Sequence, residues 1–475
     1  MTTMSFKTKC IQDIRRNIGW AYRELKWITD EESERARRER DDILKSLVNR
    51  ARRGFKGSKI YCGELSRGCM TCGRGTWSCM FINGLCTANC FFCPQDRSIE
   101  VERPPYAESI IFDDPDDYLD YLKKFGFEGV GFSGGEPMLV FELLLSYVRK
   151  IKERFRNNIY VWVYTNGDLV DADKLRLLKD AGLDEIRFDI CPADYCLNGV
   201  ELARTIIDTV TVEIPAIPED FDKLKKCVIE MQKLGVNHLN LHELYVTEPN
   251  YRKIVERGYT LLHQWQPAVL ESEITALRLL KHVLDNDVGL PINYCSSAYK
   301  RRFQNKSSRL RAASYALEGG HEEITEAGYI RRISVLDSRK NLDGIIRVLK
   351  KRKGVRNLWS LDVTGTVLSV NHSLLKFIDP DKYRLIVQYF LPKIHNNGGD
   401  DRTEIVVNSG KSVFVARECK YLLEDLNPYL ISKLFKLSLG TRHRIKKDMK
   451  TMKDRNKLQF LMPFERIESG LSEIF

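Results

Sequence analysis

The sequence predicts an α/β protein built on a complete or partial (β/α) barrel, followed by a small basic domain of mixed α/β structure. Three observations carry this. Short apolar runs alternate with segments of helical apolar spacing from about 107 to 300, the pattern of parallel strands joined by crossover helices. Seven of the 13 cysteines fall between Cys62 and Cys93, ahead of most of that alternation. Charge then shifts: residues 331–475 hold 29 Lys and Arg against 16 Asp and Glu, which leaves residues 1–330 near −2 in a chain of net +11.

Taken in order, residues 1–60 read as a charged helical segment in which Ile11, Ile14, Ile18 and Tyr22 form a weak apolar stripe. It ends in the basic, glycine-punctuated RARRGFKGSK. Residues 61–85 form a cysteine-rich stretch with five glycines before Cys86, which favours tight turns over long helices. The barrel domain, 76–325, opens with the strand candidate CMFIN (79–83). It continues through GVGFS (near 130–133), IYVWVYT (159–165), EIRFDI (185–190), VTVEIPAI (210–217), HLNLHELYV (238–246) and PINYC (291–295). Segments such as FELLLSYVRKIKERF and FDKLKKCVIEMQKLG supply helices between them. In such barrels the chemistry sits on loops after the C-terminal ends of the strands. GHEEITEAGYI (320–330) marks the boundary with the basic domain, 326–475. There IRRISVL, LDGIIRVLKKR, NLWSLDV, YRLIVQYFLP, EIVVN and KSVFVAREC give further elements, with HNNGGDDR (395–402) as a polar loop between two strands.

Several classes are excluded. No apolar run reaches membrane-spanning length, and MTTMSFKTKCIQDIRR lacks the apolar core of a secretory signal. The expectation is a cytoplasmic protein without a membrane partner. In a reducing compartment, a dense cysteine cluster in a long chain reads as metal-binding rather than as a disulfide framework.

GLCTANCFFCPQD places Cys86, Cys90 and Cys93 in one CxxxCxxC loop. Thiolates are soft ligands suited to iron–sulfur clusters, which ordinarily take four. Three in a tight loop can hold three irons of a [4Fe–4S] cubane and leave the fourth open. The competing reading is structural zinc completed by Cys79 or another upstream cysteine. Zinc sites more often use paired C-x(2–4)-C elements, and no histidine lies nearby.

With the aromatic Phe92 before its last cysteine, the loop resembles that of the radical S-adenosylmethionine superfamily. Ser133-Gly134-Gly135-Glu136-Pro137 closes one predicted strand and YTNG (164–167) closes the next, in the register of that family. The resemblance covers about residues 76–300. It implies a partial barrel in which a [4Fe–4S] cluster on Cys86, Cys90 and Cys93 binds S-adenosyl-L-methionine through its open iron. One electron, from a flavodoxin- or ferredoxin-type donor, then cleaves the sulfonium to a 5′-deoxyadenosyl radical that abstracts hydrogen. Ser133, Gly134, Gly135 and Glu136 would meet the methionyl amino group. Asn166 and Asp189, at strand ends, could bond ribose hydroxyls, although each alone also suits a turn. WSCMFINGLC, NLHEL and YCSS resemble more narrowly an uncharacterised prokaryotic branch related to pyruvate formate-lyase activating enzyme.

The upstream cysteines leave three alternatives. Cys62, Cys69, Cys72 and Cys79 form C-x6-C-x2-C-x6-C, a spacing that could enclose one zinc or iron ion. Cys69 and Cys72 could instead join Cys295, at the end of a predicted strand, in an auxiliary iron–sulfur cluster. Or the thiols carry no metal. Asn240 and His242 share one side of their strand, with Glu243 at its end, either as an internal hydrogen-bonded set or as substrate contacts.

Three functions fit: a radical enzyme acting on a macromolecule (RNA or protein) through the basic domain; a radical enzyme acting on a small metabolite; and a zinc-stabilised nucleic-acid-binding protein without catalysis. The basic runs KKRKGVR (350–356) and TRHRIKKDMKTMKDRNK (441–457) favour an RNA partner for the domain that carries them.

Overall fold

The computed structural model describes residues 6–19, 21–95, 104–264, 266–399, 401–428, 431 and 455–474. Most of the basic run 441–457 therefore lies outside the described residues. Two compact units emerge: Lys7–Asn305 with Val407–Lys411 and the stretch from Ser469, and Lys306–Val406 with Ser412–Glu468.

The first unit begins with two helices where the sequence reads as one charged segment. They are α1 (Phe6–Asn17) and α2 (Asp30–Ser46). α2 starts where it does because Thr29 and Glu32 form a reciprocal capping box, with Asp30, Glu31 and Glu32 in the first turn against the positive end of the helix dipole. Next come β1 (Arg52–Gly54), β2 (Lys59–Cys62), α3 (Arg67–Arg74), β3 (Trp77–Asn83), and the two-residue strands β4 (Tyr106–Ala107) and β5 (Ile110–Ile111). Within the glycine-rich stretch, where turns were expected, α3 forms because Ser66 caps its start and Gly75 ends it in the left-handed conformation.

Strand and helix then alternate: α4 (Pro115–Lys124), β6 (Gly129–Gly134), α5 (Phe141–Phe155), β7 (Tyr160–Thr165), α6 (Ala172–Asp180), β8 (Glu185–Phe188), α7 (Asn198–Arg204), β9 (Thr209–Pro215), α8 (Phe221–Lys233) and β10 (His238–His242). After α9 (Tyr251–Glu256), the short β11 (Leu261–Leu262) and β12 (Ala268–Val269), and α10 (Leu270–Asp285), β13 (Ile292–Cys295) completes the sheet.

The sheet order is β1-β2-β13-β10-β9-β8-β7-β6-β3-β4-β5. β3, β6, β7, β8, β9, β10 and β13 run parallel; β2 and β4 flank them antiparallel. The sheet curls around α3. Cys69 Sγ on α3 lies 3.5 Å from Asn240 Oδ1 on β10, while a Cβ on Gly129 of β6 would meet the Thr71 methyl of α3 at 2.7 Å. Strands four places apart in the sheet thus touch one short helix. The fold is the predicted partial barrel, with its strand ends gathered at one mouth.

The second unit is built from β14 (Glu322–Ile324), β15 (Ile330–Leu336), β16 (Trp359–Leu361), β17 (Val367–Val370), β18 (Leu385–His395), β19 (Arg402–Val406) and β20 (Ser412–Leu426). They form an antiparallel sheet in the order β16-β17-β15-β18-β20-β19, with β14 paired to β15. One helix, Arg339–Lys350, places Leu342, Ile345, Ile346 and Leu349 on a core with Ile333, Val335, Leu368, Val370, Leu385 and Val387. Its apolar positions recur at helical spacing, so one face can bury while Arg339, Lys340 and Arg347 stay exposed.

Candidate active site at the strand ends

The cysteine loop follows directly from β3, and neighbouring strand ends hold it. Gly135 N–H donates to Asn83 O at 3.0 Å and Glu136 N–H to Leu85 O at 2.7 Å. Asn83 Nδ2 returns a bond to Glu136 O at 2.9 Å. A Cβ on Gly135 would lie 1.6 Å from Leu85 O, so only glycine permits this approach. From the end of β7, Asn166 Nδ2 donates to Thr87 Oγ1 at 2.7 Å, and Thr87 in turn donates to Asp168 Oδ2 at 2.8 Å. On the other flank Asn250 Nδ2 donates to Phe92 O, Lys253 bonds Asn89, and the Arg257 guanidinium lies 3.6 Å above the Phe91 ring. Phe92 packs its ring against the apolar cluster of Leu244, Val246 and Ile254.

Cys86, Cys90 and Cys93 are all half-buried on this loop. Among the described residues no three cysteine sulfurs lie within 4.8 Å of one another. Sulfurs sharing one tetrahedral zinc at about 2.3 Å would sit about 3.8 Å apart. The loop's thiols are therefore not gathered around a single ion.

Two expected ligand contacts are corrected. Glu136 is 1 % exposed, and both its oxygens are engaged: Oε1 accepts from Met138 N and Thr165 Oγ1, Oε2 from Asn166 N. Burial raises its pKa and these bonds oppose the rise. It fastens β6 to β7 rather than presenting a free carboxylate. Asn166 likewise spends its amide on Thr87 and its Oδ1 on Asp168 N; it positions the loop.

The acceptor that sequence reasoning missed is Asn83. Its Oδ1 is buried and has no partner, and it lies beside the turn where Gly134 adopts φ +120°. A cationic amino group is the kind of ligand that such an orphaned acceptor and glycine cradle suit. Its only signal in the sequence is its place at the end of CMFIN, three residues before Cys86. Asp189 does reach the mouth half-buried, with Oδ1 accepting from Cys191 N at 3.1 Å. Burial pushes its carboxyl up to about 6. Ser133, next to last in β6, is half-buried.

Below the mouth lies a buried polar network. Arg187 is 3 % exposed and donates to Glu185, Glu213, Tyr164 and Ser66. Glu213 also takes Asn240 Nδ2 at 2.7 Å and His242 Nε2 at 2.8 Å. Asn240 and His242 thus belong to an internal network, which Lys300 joins at 3.3 Å from His242 Nδ1. Glu243 lies apart from that network. Its Oε2 accepts from Ser297 N and its Oε1 has no partner. Burial, with Glu273 nearby, lifts it to about 7.

The upstream cysteines separate. Cys62 and Lys59 lie on opposite faces of β2, so Cys62 leaves the group. Cys69, Cys72 and Cys295 converge inside the barrel, with Cys79 beside Cys72. The single-ion arrangement of Cys62, Cys69, Cys72 and Cys79 does not form, because strand alternation turns Cys62 outward. Burial lifts Cys72 and Cys79 to about 12. Burial would also raise Cys295, but Lys59 and His242 beside it bring it down to about 6.

In the second unit Glu318, His321 and Glu322 bring three donor atoms within 4.8 Å, yet Arg332 and Arg417 already pair with both carboxylates. A cavity of about 420 Å³ is lined by Lys351, Arg352, Lys353, Lys376, Ser373 and Phe377, among others.

Known proteins match this chain as follows. The model of the radical SAM superfamily matches residues 80–190. A Methanocaldococcus jannaschii protein, provisionally named a glycyl-radical enzyme activating enzyme, is 28% identical over 301 residues, covering 61% of this chain and 79% of that one. Among solved structures, methylornithine synthase aligns over 60% of this chain and 82% of its own, at 14% identity and a TM-score of 0.34. Streptococcus suis SuiB bound to S-adenosylmethionine aligns over 47% of this chain and 51% of its own, at 12% identity and a TM-score of 0.33. Kitasatospora setae TsrM aligns over 40% of each chain, at 16% identity and a TM-score of 0.29. The chain spans about half the length of SuiB and less of TsrM. Among the described residues no helix is long and apolar enough to cross a membrane.

Proposed function

We propose, for a chain that is a member of the radical SAM superfamily and an enzyme, that Cys86, Cys90 and Cys93 hold a [4Fe–4S] cluster for reductive cleavage of S-adenosyl-L-methionine, and that the hydrogen abstracted belongs to a protein. The observation that carries the reading is the way three strand ends lock the cysteine loop: Asn83 and Leu85 on the Gly134-Gly135-Glu136 turn, and Thr87 on Asn166. When bound, the cluster and S-adenosylmethionine supply a one-electron cleavage that delivers a 5′-deoxyadenosyl radical.

The chain's own residues bind and orient. Three thiolates leave one iron of a cubane without a protein ligand. Asn83 Oδ1 accepts from the methionyl ammonium. Gly134 and Gly135 let the backbone approach it. The free oxygen of Asp189 accepts from a ribose hydroxyl, and Asn166 and Thr87 fix the loop. The electron comes from a flavodoxin- or ferredoxin-type donor.

Two features support a protein substrate. The name of the M. jannaschii relative describes action on an enzyme. The Arg187–Glu213–Asn240 network lies across the barrel below the strand ends, so the reacting group is presented at the mouth, as a segment of a larger chain can be. A second reading, RNA, is favoured by the Lys351, Arg352, Lys353 and Lys376 cavity alone.

The test is 5′-deoxyadenosine formation by the anaerobically reconstituted protein with dithionite. Wild-type protein turns over and Cys90→Ala does not; near wild-type product from the variant refutes the assignment. A second metal centre drawn from the remaining cysteines belongs to the same proposal, and its ligands are argued next.

A further inference from the structure

Lys59 is 0 % exposed, and no carboxylate of the described residues pairs with it. Its Nζ lies 2.8 Å from Cys295 Sγ and 4.2 Å above the Tyr299 ring. A buried ammonium needs a counter-charge, and only sulfur is on offer here. Cys295 ends β13, while Cys69 and Cys72 come from α3, and a negative charge on any of the three would favour the Lys59 ammonium. Cys69 Sγ lies 3.5 Å from Asn240 Oδ1 and Cys295 Sγ lies 3.3 Å from Asn293 Oδ1. Asn293 Nδ2 bonds Asn240 Oδ1, so one amide pair spans the two thiols. Gln304 Nε2 and the Tyr299 hydroxyl point at Cys72 Sγ.

We propose that Cys69, Cys72 and Cys295 ligate a second iron–sulfur cluster inside the barrel, with Lys59 as its charge partner. The choice of occupant follows from spacing and charge. No three cysteine sulfurs lie within 4.8 Å of one another among the described residues, which is too open for one zinc ion, whose thiolates would be about 3.8 Å apart. Thiolates from separate elements suit separate irons of a cluster. A [4Fe–4S]2+ core with three thiolates carries one net negative charge, which balances one ammonium. Cys62 faces away across β2, and Cys79 neighbours Cys72 from β3; neither is in the set. Lys59 makes the centre easier to reduce, because its charge favours the added electron.

This rests on the soft-metal reading of the chain but not on cleavage at the other cluster, and the experiment separates the two. The full chain with Cys86→Ala, Cys90→Ala and Cys93→Ala is reconstituted anaerobically with iron and sulfide, and its folding checked by circular dichroism. It should retain about four irons and as many sulfides per chain, with a cubane Mössbauer spectrum. Adding Cys62→Ser should leave that content unchanged; adding Cys295→Ser or Cys69→Ser should abolish it. Lys59→Met in the triple variant should keep the iron and lower the midpoint potential, a change that mere packing would not produce. A folded triple variant with no iron and sulfide, or with zinc alone, overturns the proposal. So does a cluster that survives loss of Cys69, Cys72 and Cys295 together. Failure of cleavage chemistry would show separately, as absence of 5′-deoxyadenosine from the wild-type protein.

Discussion

Gly135→Ala is the perturbation whose outcome the geometry fixes most tightly. The new methyl would sit 1.6 Å from Leu85 O, 2.4 Å from Leu85 C and 2.8 Å from Asn83 Oδ1. Two of the three obstacles are backbone, so no side-chain rotation relieves them. The Cys86 loop must move away by about 1.5 Å to restore ordinary contact, which breaks Gly135 N–H···Asn83 O and Glu136 N–H···Leu85 O. Two backbone bonds at about 1 kcal/mol each, with about 1–3 kcal/mol of overpacking, put the local cost at roughly 3–5 kcal/mol. A displacement of about 1 Å at a reacting centre costs about 100-fold in rate. The variant should therefore still acquire iron, since all three thiols remain on one loop, but form 5′-deoxyadenosine at least about 100-fold more slowly. Gly126→Ala is the control. Gly126 has φ +67° and nothing within 4 Å of its added Cβ, so its alanine carries a left-handed strain that Gly135→Ala does not, but no collision. Gly135→Ala turnover within a few-fold of Gly126→Ala would refute the packing of loop on turn.

Asn83→Leu removes the orphaned acceptor. The KM for S-adenosylmethionine should rise about 10- to 100-fold, the worth of a bond to a charged group, and an unchanged KM would assign the ammonium elsewhere. Asp189→Asn should stabilise the protein at pH 8. The wild-type carboxyl titrates near 6 in the folded chain against about 3.9 unfolded, so folding binds more protons between those values and wild-type stability falls as pH rises through them. The variant's advantage should shrink as pH drops from 6 towards 4; an advantage constant with pH would refute the burial of that charge. Lys351→Ala, Lys353→Ala and Lys376→Ala together should weaken binding of the full chain to mixed RNA and flatten its salt dependence by up to about three counterions. An unchanged salt slope would leave protein as the sole macromolecular reading.

The barrel was legible because strands buried on both faces read as short apolar runs bounded by turns, and β3, β6, β7, β8, β9, β10 and β13 overlap the expected runs. α3 was not legible. Its eight residues, RGCMTCGR, include two glycines, and it stands by packing against β3, β6 and β7 rather than by propensity. The first segment was read as one helix because charge runs through it; the break at residues 18–29 is a tertiary one, with Ile28 N–H bonding Leu261 O of β11. In the site, the cysteine spacing could be read directly, but the division of labour around it could not. Glu136 looks like a ligand in the sequence and proves to be a fastener, while Asn83 looks like the last residue of a strand and holds the free acceptor. Both depend on which partners a fold brings within 3 Å, and no local pattern encodes that.

The barrel interior sharpens this. Period-two alternation puts Asn240 and His242 on one side of their strand, yet it gives no means of telling substrate contacts from an internal polar network. Each polar atom in a barrel needs a partner, and here the partners are one another: Arg187 takes two carboxylates, Glu213 takes Arg187, Asn240 and His242, and Asn240 takes Asn293. Lys59 is the exception, a cation answered only by sulfur. Removing Arg187 would leave the buried Glu185 carboxylate without its cation, at about 3–5 kcal/mol, so the network cannot open to admit a substrate without a comparable cost. On the proposed function, hydrogen abstraction would then take place at the ring of strand ends that carries Asn83, Gly134, Asn166 and Asp189. A small metabolite would find few enclosing contacts there, whereas a polypeptide brings its own surface to cover the mouth.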